Sequence, residues 1–192
     1  MDYTKMKLNK ILKLMPRGKG LKVIDIGCHF GEVTSFLHHR GYNVLGIDID
    51  PKAISIAKRR HKNTKFKAID VYRIDFSRYD IIIAWGLFEY VYDLRKLMLK
   101  LEKEMRPGAT IIFSVPNVCS FSKRIKCLFG FNPNRDKTAV SYSFTFKQIG
   151  KLIMPLKFEK KEITYIPADC MRNICFPMPR NFSVEIIVKM IK

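Results

Sequence analysis

Two glycines and two carboxylates, placed where apolar runs end, are the residues of this 192-residue chain best spaced for chemistry. Leu21 to Ile26 is a short apolar run of the kind that fills a buried parallel strand. It carries Asp25 and passes directly into Gly27, with Gly31 following. A strand that breaks at glycine and continues as a helix brings backbone N–H groups close to a ligand, because Gly27 and Gly31 carry no Cβ and tolerate positive φ. A second apolar run, Tyr42 to Ile47, ends at Asp48, 21 residues beyond Gly27, the separation at which a neighbouring strand's carboxylate accepts ribose hydroxyls. The expectation is two adjacent parallel strands holding one nucleoside-like ligand at their carboxyl ends. A tight turn that holds no ligand would use the same glycines.

Three segments carry a family likeness. Asp25-Ile26-Gly27-Cys28-His29-Phe30-Gly31 is similar to DIGCGxG. Gly46-Ile47-Asp48-Ile49-Asp50-Pro51, with Ile54 and Ala57, is similar to GIDxxxxxIxxA, and Glu89-Tyr90-Val91 is similar to the E-H-V that follows a fourth strand. With these motifs the chain resembles the class I S-adenosylmethionine-dependent methyltransferases, nearest to their small-molecule type, over Leu21 to Asn117 and in outline beyond. It departs at His29, where many relatives have the middle glycine, and at Tyr90, where they often have histidine.

The resemblance implies an α/β, Rossmann-like doubly wound sheet, mostly parallel with an antiparallel C-terminal edge strand. It implies S-adenosylmethionine as cofactor, bound by Asp25, Gly27, Cys28 and Gly31 in the first loop, by Asp48 and Ile49 after the second strand, and by Ala84 and Trp85 at the end of the fourth. Asp70 would meet the adenine amino group while Val71 packs on the ring, and an acceptor-only carboxylate suits an amine that would otherwise be buried unpaired. The start of the following helix suits the methionine carboxylate, and Asp25 suits the loop or the ligand's amino group.

The elements that must position these residues follow from pattern. Thr4 to Met15 reads as a basic amphipathic helix that could cover the substrate entrance or lie on an anionic surface; the expectation is that it packs on the sheet edge with its lysines solvated, before Pro16 to Gly20 breaks it. Glu32 to His39 is the helix after the glycine turn, stopped by Gly41. Asp50 and Pro51 start another helix, which ends in the densest basic run of the chain, Lys58 to Lys67. Thr64 to Ile69 and Tyr79 to Ala84 read as the third and fourth strands; Asp93 caps a helix, and Ala109 to Val115 is the fifth strand. Residues 117–140 are too long for an ordinary connection and are expected to form a lid, with Phe121, Ile125, Leu128, Phe129 and Phe131 among basic residues. Thr145 caps a further helix, and Lys157 to Ile166 and Phe182 to Ile191 close the sheet. The expected organisation is one domain over 1–192, with 1–20 as its N-terminal helix.

Composition bounds the partners. The formal net charge is +19, from 36 Lys and Arg against 17 Asp and Glu. Such an excess suits nucleic acid or an anionic membrane surface, and a solvated basic surface without a partner carries it equally well. No apolar run is long enough to span a membrane, and the first twenty residues lack the pattern of a secretory signal, so a cytoplasmic location is expected. Five cysteines without a C-x-x-C pair suit reduced thiols and make a zinc site improbable.

Methyl transfer from a sulfonium asks mainly for alignment of the acceptor and exclusion of water. A hydroxyl acceptor would add a need for a base, for which Glu89, Tyr90 and Tyr142 are candidates. After strand four there is no Asn/Asp-Pro-Pro-aromatic tetrapeptide, no Pro-Cys pair and no His and carboxylate cluster for a metal. These absences favour a metal-free, small-molecule or lipid-like acceptor. An RNA methyltransferase, or a non-catalytic nucleoside- or RNA-binding module on the same fold, is the alternative that the charge keeps open. A nicotinamide enzyme is disfavoured, because Gly27 to Gly31 is not G-x-G-x-x-G and no Tyr-x-x-x-Lys occurs.

Overall fold

Apolar runs become strands, capped amphipathic runs become helices, and the two alternate along most of the chain. A computed structural model describes residues 3–18, 20–120, 123–124, 128–129, 142, 144–167 and 183–192. In chain order its elements are α1 (Tyr3–Leu14), β1 (Lys22–Ile26), α2 (Glu32–His39), β2 (Asn43–Asp48), α3 (Pro51–Arg60) and β3 (Lys65–Ala68). There follow β4 (Ile81–Trp85), α4 (Leu94–Glu104), β5 (Thr110–Pro116), α5 (Phe146–Ile153), β6 (Lys160–Pro167) and β7 (Ser183–Ile191). The helix starts follow from their caps. Asp50 Oδ1 accepts from the Lys52 N–H at 2.8 Å ahead of Pro51, and Asp93 Oδ1 accepts from the Lys96 N–H at 2.9 Å. Thr145 and Gln148 form a reciprocal capping box, with bonds of 3.2 and 2.8 Å.

The strands form one sheet in the order β3-β2-β1-β4-β5-β7-β6. β1 to β5 run parallel, and β7 is antiparallel to both β5 and β6. The doubly wound, mostly parallel sheet is the expected one, and its C-terminal strand is antiparallel. That strand does not occupy the edge: β7 is threaded between β5 and β6, and β6 is outermost. The apolar alternation of β7 explains this, since Ile186 and Val188 face one layer and Ile187 the other, all fully buried as an interior strand requires.

Side chains from alternate strand positions fill two layers. Val23, Ile81, Ile83 and Ile112 cluster with Ile11 and Leu14 of α1 and Leu37 of α2. On the opposite face Ile24, Ile82, Ile111 and Phe113 cluster with Leu97 and Leu101 of α4 and Ile149 of α5. Complete burial of each such side chain stabilises the fold by roughly 1.5–3 kcal/mol. β1 pairs with β2 on one side and β4 on the other, so the chain reverses its winding at β1, and a crevice opens where the two loops part.

α1 corrects one expectation. It packs across the sheet face, with Ile11, Leu14 and Met15 against strands as far apart as β1 and β6. Lys5 and Lys13 are exposed as expected, but Lys7 and Lys10 are half-buried, and Lys10 Nζ donates to Thr164 Oγ1 of β6 at 2.8 Å. Burial holds the Lys10 ammonium below its usual range, opposed by Glu162. Among the described residues no helix is long and apolar enough to cross a membrane. Of the expected lid, Asn117 and Ser120 are buried, and Asn117 Nδ2 donates to Ser183 Oγ at 3.2 Å. Phe121, Ile125, Phe131 and most of 117–140 lie outside the described residues, as do Cys127, Cys170 and Cys175.

Candidate functional site

A cavity of about 680 Å³ opens at the carboxyl ends of β1, β2 and β4 and above the turn after β3. Its first wall is the glycine loop. Gly27 takes φ 73°, and a Cβ there would lie 2.8 Å from Leu87 Cδ1, across the cavity floor. The N–H groups of Gly27 and Cys28 both donate to the Ile47 carbonyl, at 2.8 and 2.9 Å, which clamps the loop to β2. His29 adopts φ 49°, a left-handed conformation that costs a non-glycine residue roughly 1–2 kcal/mol. Its N–H donates to Asp48 Oδ2 at 2.9 Å, and Asp48 Oδ1 accepts from the Asp50 N–H at 3.0 Å. One carboxylate thus ties the loop after β1 to the start of α3 and compensates the strained residue between the glycines. Each oxygen keeps a lone pair for a further donor.

Beneath the loop, Asp25 is 2% exposed. Burial pushes its carboxyl up to about 6, opposed by the Thr34 hydroxyl of α2 and by Lys7, and reinforced by Asp48. Thr34 Oγ1 donates to Asp25 Oδ2 at 2.6 Å. That bond needs space over β2: Gly46 is the register partner of Asp25, and a Cβ on it would meet Thr34 Oγ1 and Phe66 Cδ1, each at 2.7 Å. Cys28 is buried, and desolvation with the nearby Asp25 and Asp48 pushes its thiol up, so it is a small inert side chain.

After β3, Asp70 Oδ1 accepts from the Tyr72 N–H at 2.9 Å and caps the turn Val71–Arg73, leaving Asp70, Val71 and Tyr72 on the cavity wall. After β4, Trp85, Gly86, Leu87, Tyr90 and Tyr92 line the far side. Gly86 is held from below: its N–H donates to Ser114 Oγ at 3.1 Å, and Ser114 donates to the buried Glu185 of β7 at 2.6 Å. Trp85 is 8% exposed, and Lys7 Nζ stands 5.5 Å from its ring centroid. The tryptophan serves at once as cavity wall and as core.

The cavity therefore gathers Asp25, Gly27, Cys28, Asp48, Ile49, Asp70, Val71, Trp85 and Tyr90. Four expected site residues lie elsewhere. Gly31 is outside the lining; a Cβ on it would meet Phe66 Cζ at 2.6 Å, so its glycine serves packing under α3. Ala84 points into the opposite core, at 0% exposure, because it alternates with Trp85 along β4. Glu89 is 3% exposed and lies below Gly86, with Oε1 3.9 Å from where a Cβ on that glycine would be. Tyr142 uses its hydroxyl to donate to the Tyr92 carbonyl at 3.0 Å and its N–H to donate to the Glu89 carbonyl at 3.2 Å. It clamps the loop after β4 and is not among the described residues that line the cavity.

Lys7, His29, Tyr72 and Tyr92 are lining residues that sequence pattern alone does not assign to the site. Lys7 carried a signal, since it lies four residues before Ile11 on the buried face of α1. Tyr72 and Tyr92 carried none; the fold alone brings them together.

A family model described as "Methyltransferase domain" matches residues 3–160. A ubiquinone biosynthesis O-methyltransferase of Coxiella burnetii is 30% identical over 105 residues, 52% of this chain and 45% of that protein. A lysine N-methyltransferase of Xenopus laevis, named for a component of ATP synthase, is 26% identical over 123 residues, 59% of this chain and 53% of that protein. The chain thus spans about half the length of the curated relatives it matches. A crystal structure of a SAM-dependent methyltransferase from Archaeoglobus fulgidus superposes with a TM-score of 0.77 at 14% identity, covering 98% of this chain and 92% of that one, a likeness of fold.

Proposed function

This chain belongs to the methyltransferase-domain family, and from that premise we propose that it transfers a methyl group from S-adenosylmethionine directly, without a metal, to a small aromatic or lipid-like acceptor. The observation that carries the reading is Asp48: an acceptor-only group at a strand's carboxyl end, bonded to the glycine loop, in a cavity of nucleoside size. The residues present fit the group. Asp48 would accept ribose hydroxyls through the lone pairs left by His29 and Asp50, Asp70 would accept from the adenine amine, and Val71 and Ile49 would pack on the ring. Asp25 would face the ammonium of the methionine moiety, with Lys7 and the N–H groups that begin α2 on the carboxylate side. When bound, S-adenosylmethionine supplies a methyl group already activated by the sulfonium.

What remains for the chain is alignment and exclusion of water. Trp85 and Leu87 close the floor, and Tyr72, Tyr90 and Tyr92 offer ring faces to the acceptor. Ile49, Tyr90 and Tyr92 are 72%, 45% and 92% exposed, an apolar rim suited to a flat or hydrocarbon-bearing molecule. The O-methyl chemistry in the name of the Coxiella relative points the same way. Residues 1–192 are read as one domain in which α1 completes the donor side through Lys7.

Titration calorimetry with S-adenosylmethionine, S-adenosylhomocysteine and NAD tests the donor: the first two bind and NAD does not, and heat from NAD alone defeats the proposal. A filter assay with methyl-labelled donor and separate metabolite, lipid and RNA fractions tests the acceptor. Label is expected in an organic-soluble small product, and label in RNA alone overturns that choice.

A further inference from the structure

A second concavity lies where α3 ends, and nothing in the donor site uses it. It is a cleft of about 280 Å³ lined by Arg59, Arg60, His61 and Lys62, with His39 arriving from the end of α2. Asn63 and Thr64 complete it, so among the described residues its lining holds no carboxylate and no aliphatic side chain. From Pro51 to Ile69 the chain has seven Lys and Arg and no Asp or Glu. Among the described residues the ion pair found for this segment is Arg60 with Glu32, at 3.7 Å with both side chains half-exposed; Arg59 donates only to Ser55 Oγ, at 3.3 Å. The buried Nε2 of His61 has no hydrogen-bond partner among the described residues. Three cationic side chains met by one half-exposed carboxylate, two of them planar guanidinium forks, suit tetrahedral oxyanions in this recess.

We propose that this cleft is a docking site for the phosphate backbone of a polynucleotide. The chemistry of the lining separates this partner from an anionic bilayer. Membrane-surface sites set basic residues beside apolar side chains that enter the acyl boundary, and here, among the described residues, no apolar side chain lines the recess. Neutralising successive phosphates also gives the excess of +19 a place to act. The site shares no lining residue with the donor cavity, and it meets that cavity's wall only through Glu32, the partner of Arg60. It therefore stands apart from which molecule accepts the methyl group.

The test is fluorescence anisotropy of a labelled, mixed-sequence single-stranded RNA with the full chain, from about 50 to 200 mM sodium chloride. Arg59 and Lys62 are exposed, so the double variant Arg59→Ala/Lys62→Ala keeps its thermal midpoint by circular dichroism. It is expected to lose at least about tenfold in affinity and to lower the salt slope by about 1.4, from two contacts at ~0.7 each. Lys147→Ala/Lys151→Ala on α5 removes the same charge from exposed positions and is expected to change affinity less than threefold. Arg59→Lys, which keeps the charge without the fork, retains the salt slope. Equal losses in the two double variants would make binding a matter of net charge and overturn the site. Absence of RNA binding by the wild type would do the same, as would capture by phosphatidylserine vesicles that the cleft variant abolishes while RNA affinity stays unchanged.

Discussion

The rim of β1 to β3 and the loop after β4 face each other across one cavity and are built in opposite ways. On the first, every carboxylate is already at work. Asp25 accepts from Thr34, Asp48 holds His29 and Asp50, and Asp70 caps its own turn. On the second, Ser114 and Glu185 hold the loop from below the surface, and the rim shows rings to solvent. A prebuilt polar half binds one invariant ligand without reorganising, whereas an exposed aromatic half can be shaped to a particular acceptor by changing loop residues alone. On the proposed reading the first rim takes the donor and the second chooses the acceptor.

The contrast breaks most directly at Asp48. Asp48→Ala removes the tie between two loops together with the proposed ribose acceptor. Donor affinity is expected to fall about 10- to 150-fold, from charged hydrogen bonds worth ~1.5–3 kcal/mol, as measured by calorimetry. If donor affinity stays unchanged, the first rim is not the donor half.

Asp25 comes next, through its protonation. Its folded carboxyl sits near 6, above the ordinary value near 4, so the folded state holds the extra proton between those limits. Stability of the ligand-free protein is then greatest below about pH 4 with respect to this group and is lost as pH rises through 6, by ~2–3 kcal/mol. Asp25→Asn should remove that slope in urea melts across pH 4–7. If Asp25 faces the donor's ammonium as proposed, donor affinity should weaken in the wild type as pH falls through 6. A slope that persists in the variant assigns it to another group.

Gly46→Ala tests the space that the Asp25–Thr34 bond requires. Contacts of 2.7 Å to Thr34 and Phe66 predict overpacking of ~1–3 kcal/mol, read as a lower urea midpoint at constant m. The smallest effect sharpens the comparison from the other side. Tyr92→Ala, at 92% exposure, should leave stability within about 0.5 kcal/mol and donor affinity unchanged, while raising acceptor KM about two- to tenfold.

Most of the rim of β1 to β3 was legible in the chain because its signals are local. Asp50 before Pro51 and Asp93 before Leu94 cap helices through neighbours two or three residues away, and Gly27 breaks a strand in its own sequence neighbourhood. Tyr142 could not be read that way. Its hydroxyl and N–H bond to the carbonyls of Tyr92 and Glu89, some fifty residues earlier. At Gly31 the atoms that forbid a side chain belong to Phe66, 35 residues further along the chain, so that constraint leaves no local mark.

By itself the sequence determined the alternation of strands and helices, the glycine turn, the carboxylates at the ends of β1 and β2, and the turn carboxylate Asp70 after β3. Hydrophobic period, caps and turn residues act over a few positions and leave their mark there. Long-range packing set the rest: β7 lies inside β6, Lys7 reaches Trp85, and Glu89 and Tyr142 hold the loop without joining the cavity lining. Those outcomes depend on which distant surfaces bury one another. That choice is made by the whole core at once, and no short stretch of chain records it.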